Sequence, residues 1–144
     1  MARKISINFR DLETIEVDAG TTLQEIAKHF KHYFNYPILV GKVDNHITSL
    51  NEIITRSAKI DLYDLSTGLG NEVYGRTCQF LLVIAVKKLF GDDANLVIEY
   101  SIDKGFYCEI EGVKFDKPLL NDLENEIKKL VKLDLIINKV SVSR

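Results

Sequence analysis

The sequence predicts an α+β protein built from two parts. In residues 1–65, short segments of alternating polar and apolar residues surround one stretch of helical periodicity, which predicts a small mixed sheet with one helix across it. In residues 71–144, two long segments with a broad apolar stripe predict helices. Between them lies a predicted hairpin, in which polar and apolar residues alternate. The run Ser-Thr-Gly-Leu-Gly at 66–70 separates the two parts and predicts a linker.

The first part begins with a predicted hairpin whose turn is at Asp11–Leu12. Thr21 or Thr22 is the expected N-cap of the helix that follows, and this helix should end before the Asn-Tyr-Pro at 35–37. Alternation predicts four strands in this part: 4–9, 14–17, 38–43 and 59–65.

The second part begins with a predicted helix over 72–90, which Gly91-Asp92-Asp93 should end. Strands are expected at 96–102 and 106–110, joined by a turn at 103–105, and a second helix over 116–133 has Pro118 in its first turn. Residues 135–142 alternate and predict a last strand. Because the chain ends on that strand, we expect the second domain to be incomplete.

Composition narrows the class of protein. The 144 residues are 46% hydrophobic and 28% charged, which excludes a disordered tail or a collagen-like repeat. The net charge of −2 means that RNA binding would need a local basic patch. Cys78 and Cys108 are too few for a disulfide scaffold and are expected to be buried free thiols. No apolar run approaches 18 residues and no signal-peptide core is present, so a cytoplasmic protein without a membrane partner is expected.

Known catalytic motifs are missing from the sequence. There is no P-loop, and the sequence predicts no catalytic residue and no metal ligand. Lys128, Lys129 and Lys132 form a basic stripe that is either an RNA-backbone patch or a solvated helix face paired with Glu124 and Glu126.

Residues 1–65 resemble a TGS domain, a β-grasp (ubiquitin-like) module found in threonyl-tRNA synthetases, some GTPases and stringent-response enzymes. The resemblance is carried by the opening hairpin, by DAGTTLQEIA at 18–27 and by LVGKVDN at 39–45. It implies a β-grasp fold for this part.

Residues 71–144 resemble the editing domain that follows TGS in threonyl-tRNA synthetases, as a partial α/β unit. RTCQFLL at 76–82 is similar to that family's long helix, and SIDKGFYC at 101–108 to its hairpin. The family's His-x-x-x-His pair falls at Arg76 and Phe80 here, and no Cys-x-x-x-His pair occurs before Arg144. The resemblance therefore implies an editing-like scaffold without the imidazoles that orient water.

Essentially the whole chain bears a closer resemblance, more than to a synthetase, to the N-terminal region of bacterial uridine kinases of the phosphoribulokinase/uridine kinase family. This resemblance is carried by YPI at 36–38, LFGDDA at 89–94 and the hairpin sequence SIDKGFYCEI at 101–110. It implies a nucleoside kinase parent, a transferase whose ATP and magnesium bind only in a downstream kinase domain, which would also be this region's partner.

On that resemblance the chain is expected to be a non-catalytic sensing region. Its candidate ligand groove for a nucleotide, an amino acid or RNA consists of Arg76, Phe80, Tyr107 and Cys108. In the alternative interpretation Phe80 only fills core volume and Arg76 pairs with Glu72. Two further hypotheses are a threonyl-tRNA synthetase fragment, or freestanding editing relative, and an interaction module that docks on the kinase domain or dimerises; the oligomeric state is open.

Overall fold

A computed structural model of the chain describes residues 2–103 and 105–143 and has a mixed α+β architecture. The chain divides into two compact units between Arg76 and Thr77. The α+β class predicted from the sequence is confirmed.

The first unit contains a five-stranded sheet in the order β2-β1-β7-β4-β5, in which β1 and β7 are parallel and the other neighbours are antiparallel. Two short strands, β3 and β6, pair separately beside the helix α1. Its elements are β1 (Lys4–Phe9), β2 (Glu13–Asp18), β3 (Thr21–Thr22), α1 (Leu23–His29), a 3-10 helix (Lys31–Tyr33), β4 (Ile38–Val43), β5 (His46–Thr48), β6 (Ile53–Ile54) and β7 (Ala58–Asp64).

The core of the first unit lies between one face of this sheet and α1. Alternate residues of β1 and β7 are buried, and they pack with Leu23, Ile26 and Phe30 of the α1 region. Full burial of a large apolar side chain contributes about 1.5–3 kcal/mol, so this cluster is the main source of stability in the unit. Thr22, one of the two predicted N-caps, caps α1 in a capping box with Glu25.

Two hairpin turns place their central residues in the left-handed region. Arg10 and Asp11 join β1 to β2 with φ of 51° and 56°, one residue earlier than the predicted turn. Asp44 and Asn45 join β4 to β5 with φ of 47° and 69°. Paired left-handed residues match the twist of the flanking strands, and Asp and Asn tolerate this conformation better than most residues.

The long helix begins earlier than predicted. α2 spans Gly68–Phe90, so it includes part of the expected linker at 66–70 and crosses the division between the units. Thr67 explains this start, because its hydroxyl oxygen accepts a hydrogen bond from the N–H of Gly70 at 3.0 Å, as an N-cap side chain does. The glycines here belong to a helix start rather than to a flexible connection.

The second unit contains the rest of α2 and three further elements: β8 (Leu96–Ile102), β9 (Gly105–Ile110) and α3 (Lys117–Lys132). β8 and β9 form a two-stranded antiparallel sheet. Of the predicted turn between them, Lys104 lies outside the described residues. The core is small and consists of Ala85, Val86, Ile110, Leu123 and Leu130.

The predicted strand at 135–142 is absent: the structure assigns no strand to the described residues after α3. The apolar side chains there are half or more exposed, for example Ile136 at 74% and Val142 at 84%. Alternation indicates strand propensity, but a strand also needs a hydrogen-bonded neighbour, and none of the described strands pairs with this segment.

The expected burial of the cysteines is also corrected. Cys78 is exposed and Cys108 is only partly buried. Apolar residues occur around most of α2, so the sequence does not indicate which side of the helix is covered. Within the described parts of the chain, no helix is long and apolar enough to cross a membrane.

Candidate functional site

Arg76 and Phe80, two residues of the predicted groove, lie one turn apart on α2. The Nη2 atom of Arg76 is 2.6 Å from Oε1 of Glu72, and its side chain is 76% exposed. This is the i,i+4 ion pair of the alternative interpretation, and such exposed pairs contribute little to stability. Arg76 is therefore a solvated cation on the helix surface.

Phe80 is half exposed and lines a cavity of about 420 Å³, here called the Phe80 cavity. α2, α3 and residues 134–138 form this cavity. Its described lining contains neither histidine nor cysteine, and a carboxylate enters it only from Asp134. The remaining lining residues are Thr77, Leu81, Ile84, Leu130, Val131, Leu135, Ile136, Ile137 and Asn138.

Tyr107 and Cys108 lie on β9 and not in the Phe80 cavity. The Tyr107 ring stacks on Tyr100 with ring centroids 5.1 Å apart, and its hydroxyl donates to Glu109 at 2.6 Å. That hydrogen bond to a carboxylate raises the pKa of Tyr107 to about 12. Burial raises the pKa of the Cys108 thiol, which makes it a weak nucleophile at neutral pH.

Consecutive strand residues also point to opposite faces of a sheet, so one groove on the hairpin takes at most one of these two side chains. Of the four predicted residues, Phe80 lines the Phe80 cavity, and Arg76, Tyr107 and Cys108 are not among its described lining residues.

The basic stripe on α3 is largely paired with acidic residues. Lys128 Nζ is 2.6 Å from Oε1 of Glu124, and this hydrogen bond lowers the pKa of the Glu124 carboxyl. Lys129 Nζ lies 3.8 Å from Oε2 of Glu126. Of the three lysines in the stripe, Lys132 alone has no ion pair with another described residue. These contacts favour the interpretation of a solvated, charge-paired helix face.

Sequence reasoning missed a charged cleft on the first unit, here called the arginine cleft. It has a volume of about 450 Å³ and lies beside the two left-handed hairpin turns, at the Lys59–Tyr63 part of β7. Its lining residues are Arg10, Lys42, Asp44, Asn45, Lys59, Ile60, Asp61 and Tyr63.

Arg10 is held firmly in this cleft. Its Nε donates to Asp61, its Nη2 donates to the backbone oxygen of Leu62 at 2.6 Å, and its guanidinium lies 5.1 Å from the Phe9 ring centroid. Tyr63 donates a further hydrogen bond to Asp61 at 2.7 Å. Burial alone would raise the pKa of Asp61, but the hydrogen bonds from Tyr63 and Arg10 outweigh it, so the pKa is lowered.

The cations of the arginine cleft already have partners. Lys59 pairs with Asp11, Arg10 pairs with Asp61, and the Lys42 ammonium lies 5.5 Å from the Tyr63 ring. Each ion pair joins positions about 50 residues apart, so no local sequence pattern indicates them. Among the described residues, no group of three or more His, Cys, Asp or Glu side chains is placed to hold a metal ion.

Comparison with known proteins finds threonine–tRNA ligases that match nearly all of this chain. The chain is 31% identical over 141 residues to a threonine–tRNA ligase of Desulforamulus reducens, 30% identical to one of Clostridium perfringens and 28% identical to one of Acetivibrio thermocellus. Each match covers 97% of this chain and about a fifth, 22%, of the relative. The chain is similar to the N-terminal region of threonine–tRNA ligases.

Two other comparisons add little. No family model matches the chain. Among solved structures, a chain in the crystal structure of ATBAG1 in complex with HSP70 covers 95% of this chain at 12% identity, with a TM-score of 0.36. This score is too low to bear on fold or function.

The expectation of a uridine kinase parent is wrong. The relatives that match 97% of the chain are threonine–tRNA ligases, and nothing in the comparisons supports a kinase, a transferase of that family or a kinase domain as partner. The motifs at 36–38 and 89–94 lie where a strand begins and where a helix ends. Turns favour the same few residue types in many protein families, so these motifs do not distinguish one family from another.

Proposed function

We propose that the chain is the N-terminal TGS and editing-like region of a threonine–tRNA ligase, or a freestanding relative of that region, and that it binds tRNA without hydrolysing an aminoacyl ester. The observation that carries the proposal is the match of 141 residues to the N-terminal region of such ligases. A ligase of this name joins threonine to tRNA, so tRNA is the macromolecular ligand that this proposal assigns to the chain.

The architecture of the first unit supports a β-grasp assignment. A mixed sheet of five strands with one helix packed across it is the arrangement expected of that fold. The capping box at Thr22 and the left-handed turn at Asp44–Asn45 occur at two of the three features that carry the TGS resemblance.

The chemistry of α2 supports a binding role rather than hydrolysis. Hydrolysis of an ester needs a group that orients or deprotonates water within hydrogen-bond reach. At the positions of the expected imidazole pair, Arg76 carries a permanent positive charge bound to Glu72, and Phe80 has no acid–base group. The Phe80 cavity also lacks histidine and cysteine among its described lining residues.

Two measurements on the purified full chain test the proposal. Fluorescence anisotropy with labelled tRNA specific for threonine should show saturable binding that weakens as salt rises, because phosphate contacts release counterions. In parallel, serine-charged tRNA of the same specificity should lose its serine no faster with the protein than in buffer. Failure to bind any tRNA would refute the binding role, and accelerated deacylation would refute the absence of catalysis.

A further inference from the structure

A third cleft lies in the first unit, beside α1. The cleft has a volume of about 330 Å³. It is enclosed by α1, by the 3-10 helix, by the segment that leads into β4, and by Leu50. We call it the tyrosine cleft, and its lining residues are Gln24, Ala27, Lys28, Lys31, Phe34, Asn35, Tyr36, Pro37, Ile38 and Leu50.

The tyrosine cleft differs from the arginine cleft in its charge. Lys28 and Lys31 are its only charged residues among those described, and both side chains are exposed. Neither lysine has an ion pair with another described residue, whereas Arg10 and Lys59 of the arginine cleft are each paired with a carboxylate. In a chain with net charge −2, this cleft presents two positive charges with no acid in its lining. An anionic group can therefore bind here without displacing an existing partner.

An aromatic ring stands beside these lysines. Tyr36 is 54% exposed, and its ring is in none of the aromatic pairs found among the described residues. Its backbone is fixed, since its N–H donates to the buried carboxylate of Asp64, and the following Pro37 restricts it to extended conformations. An exposed tyrosine ring with a free face is a platform on which a nucleic-acid base stacks.

We infer that the tyrosine cleft binds one unstacked nucleotide, with its base on the Tyr36 ring and its phosphate between Lys28 and Lys31. Gln24 and Asn35 supply amide donors and acceptors at the same cleft, where a base presents its edge. The nucleotide is either a free mononucleotide or an unpaired residue of an RNA. The RNA source rests on the proposed function, and in that case the cleft is where the tRNA contributes a single-stranded nucleotide.

The test uses the full chain and two probes. The probes are UMP and a 5′-phosphorylated hexauridylate RNA, and the amide chemical shifts of isotope-labelled protein are recorded with each. Fluorescence anisotropy of a dye-labelled hexauridylate measures the affinity for RNA. Both probes should move the amide signals around residues 28–38. Binding of UMP identifies the free nucleotide as a sufficient ligand, and binding of the hexauridylate alone identifies RNA as the source.

Variants locate the site. Tyr36→Ala should weaken binding about tenfold, in line with the loss of one stacked base, and Tyr36→Phe should retain it. Lys28→Gln with Lys31→Gln should also weaken RNA binding about tenfold and reduce the slope of log affinity against log salt by about 0.7, the value for one phosphate contact on a single strand.

Matched controls come from elsewhere in the chain. Tyr74→Ala removes a tyrosine of similar exposure, 51%, and Lys114→Gln with Lys139→Gln removes two exposed lysines far along the sequence. These variants should bind within about twofold of the natural chain. Circular dichroism melts establish that every variant is folded, which is expected because all the changes are on the surface.

The outcomes separate this inference from the proposed function. If the chain binds tRNA, and the Tyr36 and lysine variants bind tRNA, UMP and the hexauridylate as well as the natural chain does, the cleft inference is overturned while the tRNA role stands. If the variants lose UMP or hexauridylate but no tRNA is bound by the natural chain, the cleft inference holds and the proposed function fails. Absence of any shift at residues 28–38 with either probe also overturns the inference.

Discussion

At the scale of single residues, the arginine cleft shows how one network of hydrogen bonds depends on distant parts of the sequence. Arg10 and Asp61 are separated by 51 positions, yet β1 and β7 are neighbouring parallel strands, which brings the end of one beside the middle of the other. Asp61 therefore accepts hydrogen bonds from Arg10, from Tyr63 and from the backbone N–H of Leu62.

The lowered pKa of Asp61 predicts how its contribution to stability varies with pH. A carboxyl whose pKa is lower in the folded state stabilises the protein above its ordinary pKa of 3.8, and that contribution is lost as the pH falls through the folded value. Asp61→Asn should therefore lower the free energy of unfolding at pH 7, and the difference from the natural chain should shrink at pH values below 3.8.

The expected loss at pH 7 is on the order of 1 kcal/mol, since hydrogen bonds to a charged group are strong but solvent screens a side chain that is 34% exposed. Urea unfolding of both proteins over a pH series measures it. Asp93→Asn, a change at an exposed turn, is the control and should show no such trend. A pH-independent difference for Asp61→Asn would contradict the role of its charge.

Single residues also show where sequence reasoning stops. The N-cap at Thr22 was predictable because a cap and its partner Glu25 are three residues apart. The cluster around Arg10 was not, because its partners come from other strands. The exposure of Cys78 was missed for a related reason: residue type gives a tendency to be buried, but the covering element decides whether burial occurs.

At the scale of elements, the start of α2 depends on a close approach of two backbone segments. An added Cβ at Gly70 would lie 1.9 Å from the backbone oxygen of Asp64, whereas an added Cβ at Gly68 would meet no atom within 4 Å. The sequence pattern Gly-Leu-Gly indicates flexibility, but only the fold shows that one of the two glycines is there to avoid a clash.

The two glycines predict opposite effects of the same substitution. Gly70→Ala should lower the free energy of unfolding by about 1–3 kcal/mol, the usual cost of overpacking, despite the better helix propensity of alanine. Gly68→Ala should leave stability unchanged or raise it by up to about 1 kcal/mol. Thermal and urea unfolding of both variants measure these effects, and equal stabilities for the two would contradict the close approach at Gly70.

Element boundaries were predicted best where local signals mark them. β4 and β8 have the predicted bounds, and α3 lies within one residue of its expected ends because Asp116 caps it by accepting from Leu119 N–H at 2.9 Å. The strand expected at 135–142 failed because alternation alone does not supply a pairing partner. Local chemistry therefore specifies where an element begins, and tertiary contacts decide whether a strand forms.

At the scale of the whole molecule, the two units have very different cores. In the first unit, Phe9, Phe30 and Leu62 are completely buried within a cluster of eleven buried residues. In the second unit the buried cluster has five members, and β8 and β9 pair only with each other among the described strands. A two-stranded sheet with a small core is marginal in water, whereas a central strand such as β7 has a neighbour on both sides.

These cores predict unequal local stability, which native-state hydrogen exchange measures residue by residue. Amides of β1 and β7 should exchange at least tenfold more slowly than those of β8 and β9, because opening the first sheet exposes the larger apolar core. Amides of α1 provide the internal control and should follow the first sheet. Equal protection in both sheets would contradict the prediction and would mean that the two units unfold as one cooperative structure.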